Sequence, residues 1–144
     1  MFTPLNLPNA PLKITEKDQK LYVTCLLRKK QVVLTPEEWV RQHLIHYLFA
    51  HKSLAQGRLA VEVSLKVNSL SKRADIVYYD ETLQPELVVE CKAPEIKLTS
   101  ETVFQIATYN SQLNSKFLLI SNGLDHFVFE NSNGSLVSLD DLPG

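Results

Sequence analysis

Two apolar stretches of this chain carry charge where a buried strand should carry none. In 74-ADIVYYD-80 the acid Asp75 stands one residue into the run, and 86-ELVVECK-92 closes on Glu90, Cys91 and Lys92. Taking such groups out of water costs several kcal/mol per ion unless a partner offsets it, against a total domain stability of about 5–15 kcal/mol. Side chains alternate along a strand, so Asp75, Val77 and Tyr79 share one face, and Val88, Glu90 and Lys92 another. Only a turn containing Pro85 separates the two runs. As neighbouring strands they bring Asp75 and Glu90 together, with Lys92 on the side of Glu90.

Two carboxylates and an amine make a coherent set around a hard divalent cation. Carboxylate oxygens, a backbone carbonyl and waters supply the near-octahedral shell that Mg²⁺ demands, and the ion offsets the repulsion between the acids. A cation held in this way polarises a phosphodiester and lowers the pKa of a coordinated water. Lys92 can orient that water or stabilise charge developing on the phosphate.

Two helices must frame this set. Thr35-Pro36-Glu37-Glu38 starts the first, with Thr35 as N-cap, Pro36 at the first helical position and Glu38 closing a capping box. The helix is predicted to run to about His51. At about 100° per residue its stripe of Val40, Leu44, Tyr47 and Leu48 also contains Glu37 and Arg41. Glu38 falls at the edge of the stripe with a job in the cap, which makes Glu37 the more interesting acid. Arg41 either binds phosphate or neutralises Glu37. The second helix is predicted over 100–113, capped by Thr99 or Ser100. Gln105 and Tyr109 lie one turn apart on its polar side and can order the lysine, the water or a scissile phosphate.

The remaining pattern is strand-rich. LYVTCLL and QVVLT flank the basic tripeptide 28-RKK-30 as a hairpin with a solvated tip, and residues 1–19 read as an irregular arm. VEVSLKV alternates, with Val61, Val63, Leu65 and Val67 on one face and Glu62, Ser64 and Lys66 on the other. The basic link 68-NSLSKR-73 makes Lys72 and Arg73, together with Lys66, candidate backbone-phosphate contacts or simply solvated charge. FLLIS, an Asn-Gly turn at 122–123, HFVFE and a polar tail complete the chain. The predicted architecture is one α/β domain over 20–144: a central mixed sheet of about four or five strands, two flanking helices and an N-terminal hairpin.

At this point the chain resembles the PD-(D/E)XK nuclease superfamily. Asp75 followed by Glu90-Cys91-Lys92 matches its acid, then acid-x-lysine, signature, with Ala74 in place of the proline. Gln105-Ile106-Ala107-Thr108-Tyr109 resembles the Gln-x-x-x-Tyr element of the RecB-like branch, and Glu37 or Glu38 the acid on its first helix. In the order TPEEWVRQ, KRADIVYYD, LVVECKAP, QIATYN and LISNG, roughly over residues 20–130, the chain is similar to the N-terminal nuclease domain of type I restriction enzyme R subunits. The resemblance implies a restriction-endonuclease-like fold and Mg²⁺- or Mn²⁺-dependent endonucleolytic cleavage of DNA. Asp75, Glu90 and the Cys91 carbonyl would hold the metal, Lys92 would be catalytic, Glu37 or Glu38 would add a ligand or base, and Gln105 and Tyr109 would support the site. It further implies a partner from a helicase, translocase or restriction-modification assembly. A non-catalytic nucleic-acid-binding or assembly module on the same fold, working with a separate motor, is the alternative.

Composition narrows the classes that remain. A formal net charge of −1 gives no global attraction to phosphate or anionic lipid, so DNA contact needs a local patch. No run approaches the roughly 18 apolar residues of a membrane span, and no charged leader precedes an apolar stretch. A soluble, cytoplasmic chain without a membrane partner is the expectation. Cys25 and Cys91 lie in apolar runs and read as reduced core residues. His43, His46, His51 and His126 show no convergent ligand spacing, and Trp39 reads as a packing residue.

Overall fold

The computed structural model describes residues 2–67, 69–133 and 135–142. Its centre is a six-stranded sheet built from β4 (Leu59–Val67), β5 (Leu70–Tyr79), β6 (Pro85–Cys91), β7 (Phe117–Ser121), β8 (His126–Ser132) and β9 (Ser135–Leu139), in that spatial order. All neighbours are antiparallel except β6 and β7, which are parallel with Val88 opposite Leu118 and Glu90 opposite Ile120. A parallel pair needs a crossover, and helix α2 (Ser100–Asn110) supplies it. Helix α1 (Pro36–Ala50) lies on the opposite face.

The nearly unbroken apolar run of β6 follows from this sandwich. Leu87, Val89 and Cys91 join Val40, Leu44, Ile45 and Leu48 of α1 in one core cluster. Val88 turns the other way, towards Val103 and Ala107 of α2. A strand covered on both faces has no need of polar alternation. Both helices begin as their cap signals predict: Thr35 accepts from the Glu38 N–H at 3.1 Å, and Thr99 accepts from the Thr102 N–H at 3.2 Å.

The mixed α/β architecture, with its central sheet, two helices and N-terminal hairpin, is the one expected, and it is consistent with a restriction-endonuclease-like core. Four local expectations are corrected. The irregular arm is shorter than residues 1–19, because Ile14–Lys17 form strand β1 against β2 (Lys20–Thr24), which in turn pairs with β3 (Gln31–Val33). The β1–β2 turn places Asp18 and Gln19 at φ 53° and 65°, the left-handed pair that a two-residue hairpin requires, here without glycine to announce it. The polar tail contains β9, which pairs along β8 from Val128↔Leu139 to Ser132↔Ser135. In β4, Val61 packs with the α1-side core while Val63 and Leu65 pack with the α2-side core, so the strand changes facing at Glu62, whose φ is 52°. The stretch 70–73 is part of β5 rather than a link, and Asn68 lies outside the described residues.

The N-terminal segment is tied down even where it is irregular. Asn6 donates its N–H to the Gly123 carbonyl at 2.8 Å, Trp39 Nε1 donates to the Thr3 carbonyl at 2.8 Å, and the His126 Nε2–H donates to the Asn6 carbonyl at 2.9 Å. Gly123 sits at φ 86° beneath Leu5, where a Cβ would lie 2.7 Å from the Leu5 Cδ2. Among the described residues no helix is long and apolar enough to cross a membrane.

Leu44, only 1 % exposed at the centre of the α1-side core, tests this packing. Leu44→Ala should cost about 2–5 kcal/mol, read as a lower denaturant midpoint at unchanged slope. Val137→Ala on β9, at a site 50 % exposed, should stay within about 0.5 kcal/mol.

Candidate active site

The ladder between β5 and β6 ends at Ile76↔Val89. One residue further on, the Asp75 side chain takes over: its Oδ2 accepts the Cys91 N–H at 2.7 Å. The carboxylate thus stands in for a strand carbonyl, where the facing of β5 also breaks. Ile76 and Tyr78 belong to the α1-side core, yet Ala74 belongs with Val77 to the α2 side. Asp75 is therefore held between the two faces rather than on the face of Val77 and Tyr79.

Glu90 and Lys92 lie beyond, on the side of Val88 and α2. Lys92 Nζ is 3.4 Å from Glu90 Oε2, and the Lys92 N–H donates to the Ser121 carbonyl at 2.8 Å, extending the parallel ladder by one residue. Asn122 braces the loop that follows, donating from Nδ2 to the Ile96 carbonyl at 2.8 Å. Glu90, Lys92, Arg73, Gln105 and Tyr109 line one open cleft of about 370 Å³ between the sheet and α2. Gln105 and Tyr109 are both exposed there, and Tyr109 is 59 % accessible.

The electrostatics of the acids are coupled. Burial, and then the negative charge of Asp75, hold the Glu90 carboxyl above the usual carboxylate range, although Lys92 opposes the shift. Burial likewise raises Asp75 against the Cys91 N–H and the Arg41 guanidinium. Glu37 is raised by desolvation and by Asp75, with Lys92 and Arg41 pulling the other way. Glu37, Asp75, Glu90 and Lys92 thus feel one another across the end of the sheet. The Cys91 thiol, fully buried on the α1 side, is pushed well up by that burial.

The two helix acids separate clearly. Glu38 is 5 % exposed and spends its carboxylate on Arg41 Nε at 3.1 Å, on Arg41 Nη2 and on Gln42 Nε2 at 2.8 Å. Its side chain holds the arginine, while only its N–H serves the cap. Among the described residues the Glu37 side chain makes no hydrogen bond or ion pair, and it is exposed, within electrostatic reach of Asp75 and Lys92.

Two of the candidate phosphate contacts are buried and held by partners within the fold. Arg41 is 9 % exposed and enclosed by carboxylates: beyond Glu38, its Nη2 donates to Glu62 Oε1 at 2.8 Å and its Nη1 lies 3.8 Å from Asp75 Oδ1. The carboxylates of Glu38 and Glu62 raise its pKa further. Lys72 is 5 % exposed, with Nζ donating to the Tyr109 carbonyl and lying 3.3 Å from the centre of the Tyr109 ring. Its ammonium is engaged by Tyr109 of α2, and desolvation lowers its pKa. Arg73 remains at the cleft, with its side chain 67 % exposed. Lys66 is exposed near the end of the β4–β5 ribbon, opposite Ser71.

Sequence reasoning missed Glu62. It accepts from Arg41 and, at 2.7 Å, from Arg73 Nη2, and Arg28 Nη1 lies 3.7 Å away. Alternation had placed it with Ser64 and Lys66, on the face opposite Val61 and Val63. The signal was its antiparallel position across from Asp75, which follows once Val61↔Ile76 and Val63↔Ala74 fix the register.

Among the described residues, no three His, Cys, Asp or Glu side chains are gathered as a cage for a cation. The acids at the end of β5 and β6 nonetheless have the character such an ion suits. Glu37, Glu38, Glu62, Asp75 and Glu90 outnumber Arg28, Arg41, Arg73 and Lys92 by one charge, and the acids nearest the cleft repel one another.

No curated protein matches the chain. The family model for the type I restriction enzyme R protein N terminus matches residues 36–143, from the start of α1 through the whole six-stranded sheet. The chain belongs to the type I restriction enzyme R protein N-terminal family.

Proposed function

We propose that this domain is a divalent-metal-dependent endonuclease acting on DNA phosphodiester bonds, and that it serves with other restriction-modification subunits. The observation that supports this reading best is the convergence of Asp75, Glu90, Lys92 and Glu37 at one end of the sheet, beside a cleft walled by Gln105 and Tyr109. Asp75 and Glu90, with the Cys91 main-chain carbonyl, would hold Mg²⁺ or Mn²⁺. When bound, the ion supplies Lewis acidity towards the phosphate and a more acidic water.

The chain's own groups divide the remaining work. Lys92, within ion-pair reach of Glu90 yet 36 % exposed, is placed to turn its ammonium towards a phosphate oxygen in the cleft and stabilise developing charge. Glu37, raised and unpaired, is the acid available to take a proton from the attacking water. The Gln105 amide and Tyr109 hydroxyl orient the phosphate from the opposite wall. Arg73 meets the DNA backbone at the rim, a local positive charge on a chain with no net attraction for DNA.

Cleavage of supercoiled and linear single-stranded DNA in Mg²⁺ or Mn²⁺ tests the reading directly. Lys92→Ala and Asp75→Asn should each lower cutting by about a hundredfold or more. Lys92→Ala should keep the metal-induced rise in Tm, and Asp75→Asn should lose it. Wild-type protein with neither cutting nor a metal-induced rise would instead establish the binding or assembly module.

Stability against pH supplies a second test. Because the folded protein holds the Glu90 carboxyl above its ordinary value, the stability tied to its protonated form is fully present below the ordinary carboxylate pKa and lost as pH rises through the raised one. Glu90→Gln should therefore raise Tm at pH 7 by about 2–4 °C and flatten the pH profile above the ordinary carboxylate range, despite losing the Lys92 contact. A lower Tm for the variant at pH 7 would refute the repulsion on which the metal proposal leans.

A further inference from the structure

Glu62 occupies a conformation that its surroundings must enforce. It lies in the interior of β4 at φ 52°, the left-handed region that a strand residue other than glycine adopts only where neighbours hold it. Strand pairing brackets it without including it: Val61↔Ile76 and Val63↔Ala74 are paired, and between them Glu62 faces Asp75. At this one step both strands exchange their facing between the two cores. The gain is geometric. A side chain that regular alternation would send to one face is turned to the gap between them, where the arginines gather.

There the two carboxylate oxygens are divided. Oε1 accepts from Arg41 at 2.8 Å, and Oε2 accepts from Arg73 at 2.7 Å, with Arg28 3.7 Å from the same oxygen. The two principal partners differ sharply. Arg41 is 9 % exposed, shared with Glu38 and within 3.8 Å of Asp75. The Arg73 side chain is 67 % exposed and lines the cleft with Glu90 and Lys92. One carboxylate thus joins the arginine that faces the buried acid to the arginine that faces solvent.

We propose that Glu62 is the positioning residue of this site: one oxygen fixes Arg41 beside Asp75, and the other presents Arg73 to the cleft as the group that receives a DNA phosphate. Glu62 engages Arg73 through Nη2, and the DNA phosphate takes guanidinium N–H groups that Glu62 leaves open, the planar fork donating to both anions at once. Glu62 itself touches neither DNA nor the reacting atoms. The orientation it gives Arg73 counts towards cutting, and its negative charge counts against binding.

These opposed effects give the inference a signature that a merely structural residue lacks. It rests in part on the nuclease reading, so binding and cutting are measured separately on the full chain. Binding uses a fluorescent DNA duplex without divalent ion, and cutting uses the same duplex with Mg²⁺. Glu62→Gln keeps the size of the side chain and one acceptor oxygen while removing the charge. It should bind the duplex about two- to fivefold more tightly, the weight of one partly exposed ion pair. It should at the same time cut about ten- to a hundredfold more slowly at saturation, as expected when a substrate-holding group loses its alignment. Arg73→Ala should weaken binding, and adding Glu62→Gln to it should no longer tighten binding.

Unchanged or weaker DNA binding by Glu62→Gln overturns the proposal, as does parallel loss of binding, cutting and Tm, which would mark Glu62 as purely structural. Tightening that persists in the Arg73→Ala background overturns the assignment to Arg73. Should Glu62→Gln fail to fold, Arg73→Ala decides alone, and unchanged duplex affinity there refutes the idea. A wild-type protein that does not cut sinks the nuclease reading, while the binding comparison still decides whether Glu62 presents Arg73.

Discussion

An acid that replaces a strand carbonyl holds the end of this sheet together. Asp75 accepts the Cys91 N–H just past the last β5–β6 pair, so the two central strands stay joined as they begin to part. Without that bond a buried backbone donor would be left without a partner, at a cost of about 1–3 kcal/mol. With it, the chain following Cys91 is aimed outward: Lys92 continues the ladder to Ser121, and the loop beyond is braced by Asn122 against the β7–β8 turn. The positions of Glu90, Lys92 and the start of α2 all descend from this junction. The same carboxylate is repelled by Glu90 and Glu37, so the group that closes the fold also loads the cleft with charge.

That load is managed by a graded set of cations. Arg41 is almost wholly enclosed and divides itself among Glu38, Glu62 and Asp75. Lys92 is partly open and pairs with Glu90. Arg73 is mostly open and pairs with Glu62. Enclosed pairs hold geometry, because breaking one strands a buried charge, whereas open pairs exchange partners at little cost. The progression from fixed to exchangeable runs from α1, through the end of the sheet, to the cleft against α2.

Much of the architecture could be read from residue order because the signals were local. Thr35-Pro36 and Thr99 mark helix starts by backbone chemistry that depends on nothing distant, and the apolar run of β6 reports a strand covered on both faces. What escaped depends on positions brought together only by folding. The β1–β2 turn uses Asp18 and Gln19 without glycine, so its left-handed backbone leaves no trace in composition. The alternation of VEVSLKV is genuine on paper, but it is interrupted at Glu62 by a backbone rotation that residue types do not encode. The burial of Arg41 and Lys72 was not foreseen, because charge suggests solvent. Their burial follows from partners far along the chain, Glu62 and Asp75 for Arg41 and Tyr109 for Lys72. The shared side of Glu90 and Lys92 was legible from alternation, and the short β5–β6 connection brought Asp75 near them although alternation misplaced its face; the separation of Glu37 from Glu38 required knowing where Arg41 turns.

The pinned N-terminal segment lies outside the family match yet inside the packed body. The family match begins at residue 36, yet the α1-side core continues upstream of it. Leu5, Leu7, Leu26 and Leu27 pack against that core, and Val23, Cys25 and Leu34 are buried before α1 begins. A chain cut at the family boundary would keep every candidate site residue and α1, and lose the apolar residues that pack beside that helix. The family match marks out 36–143, and the packed body extends upstream of it.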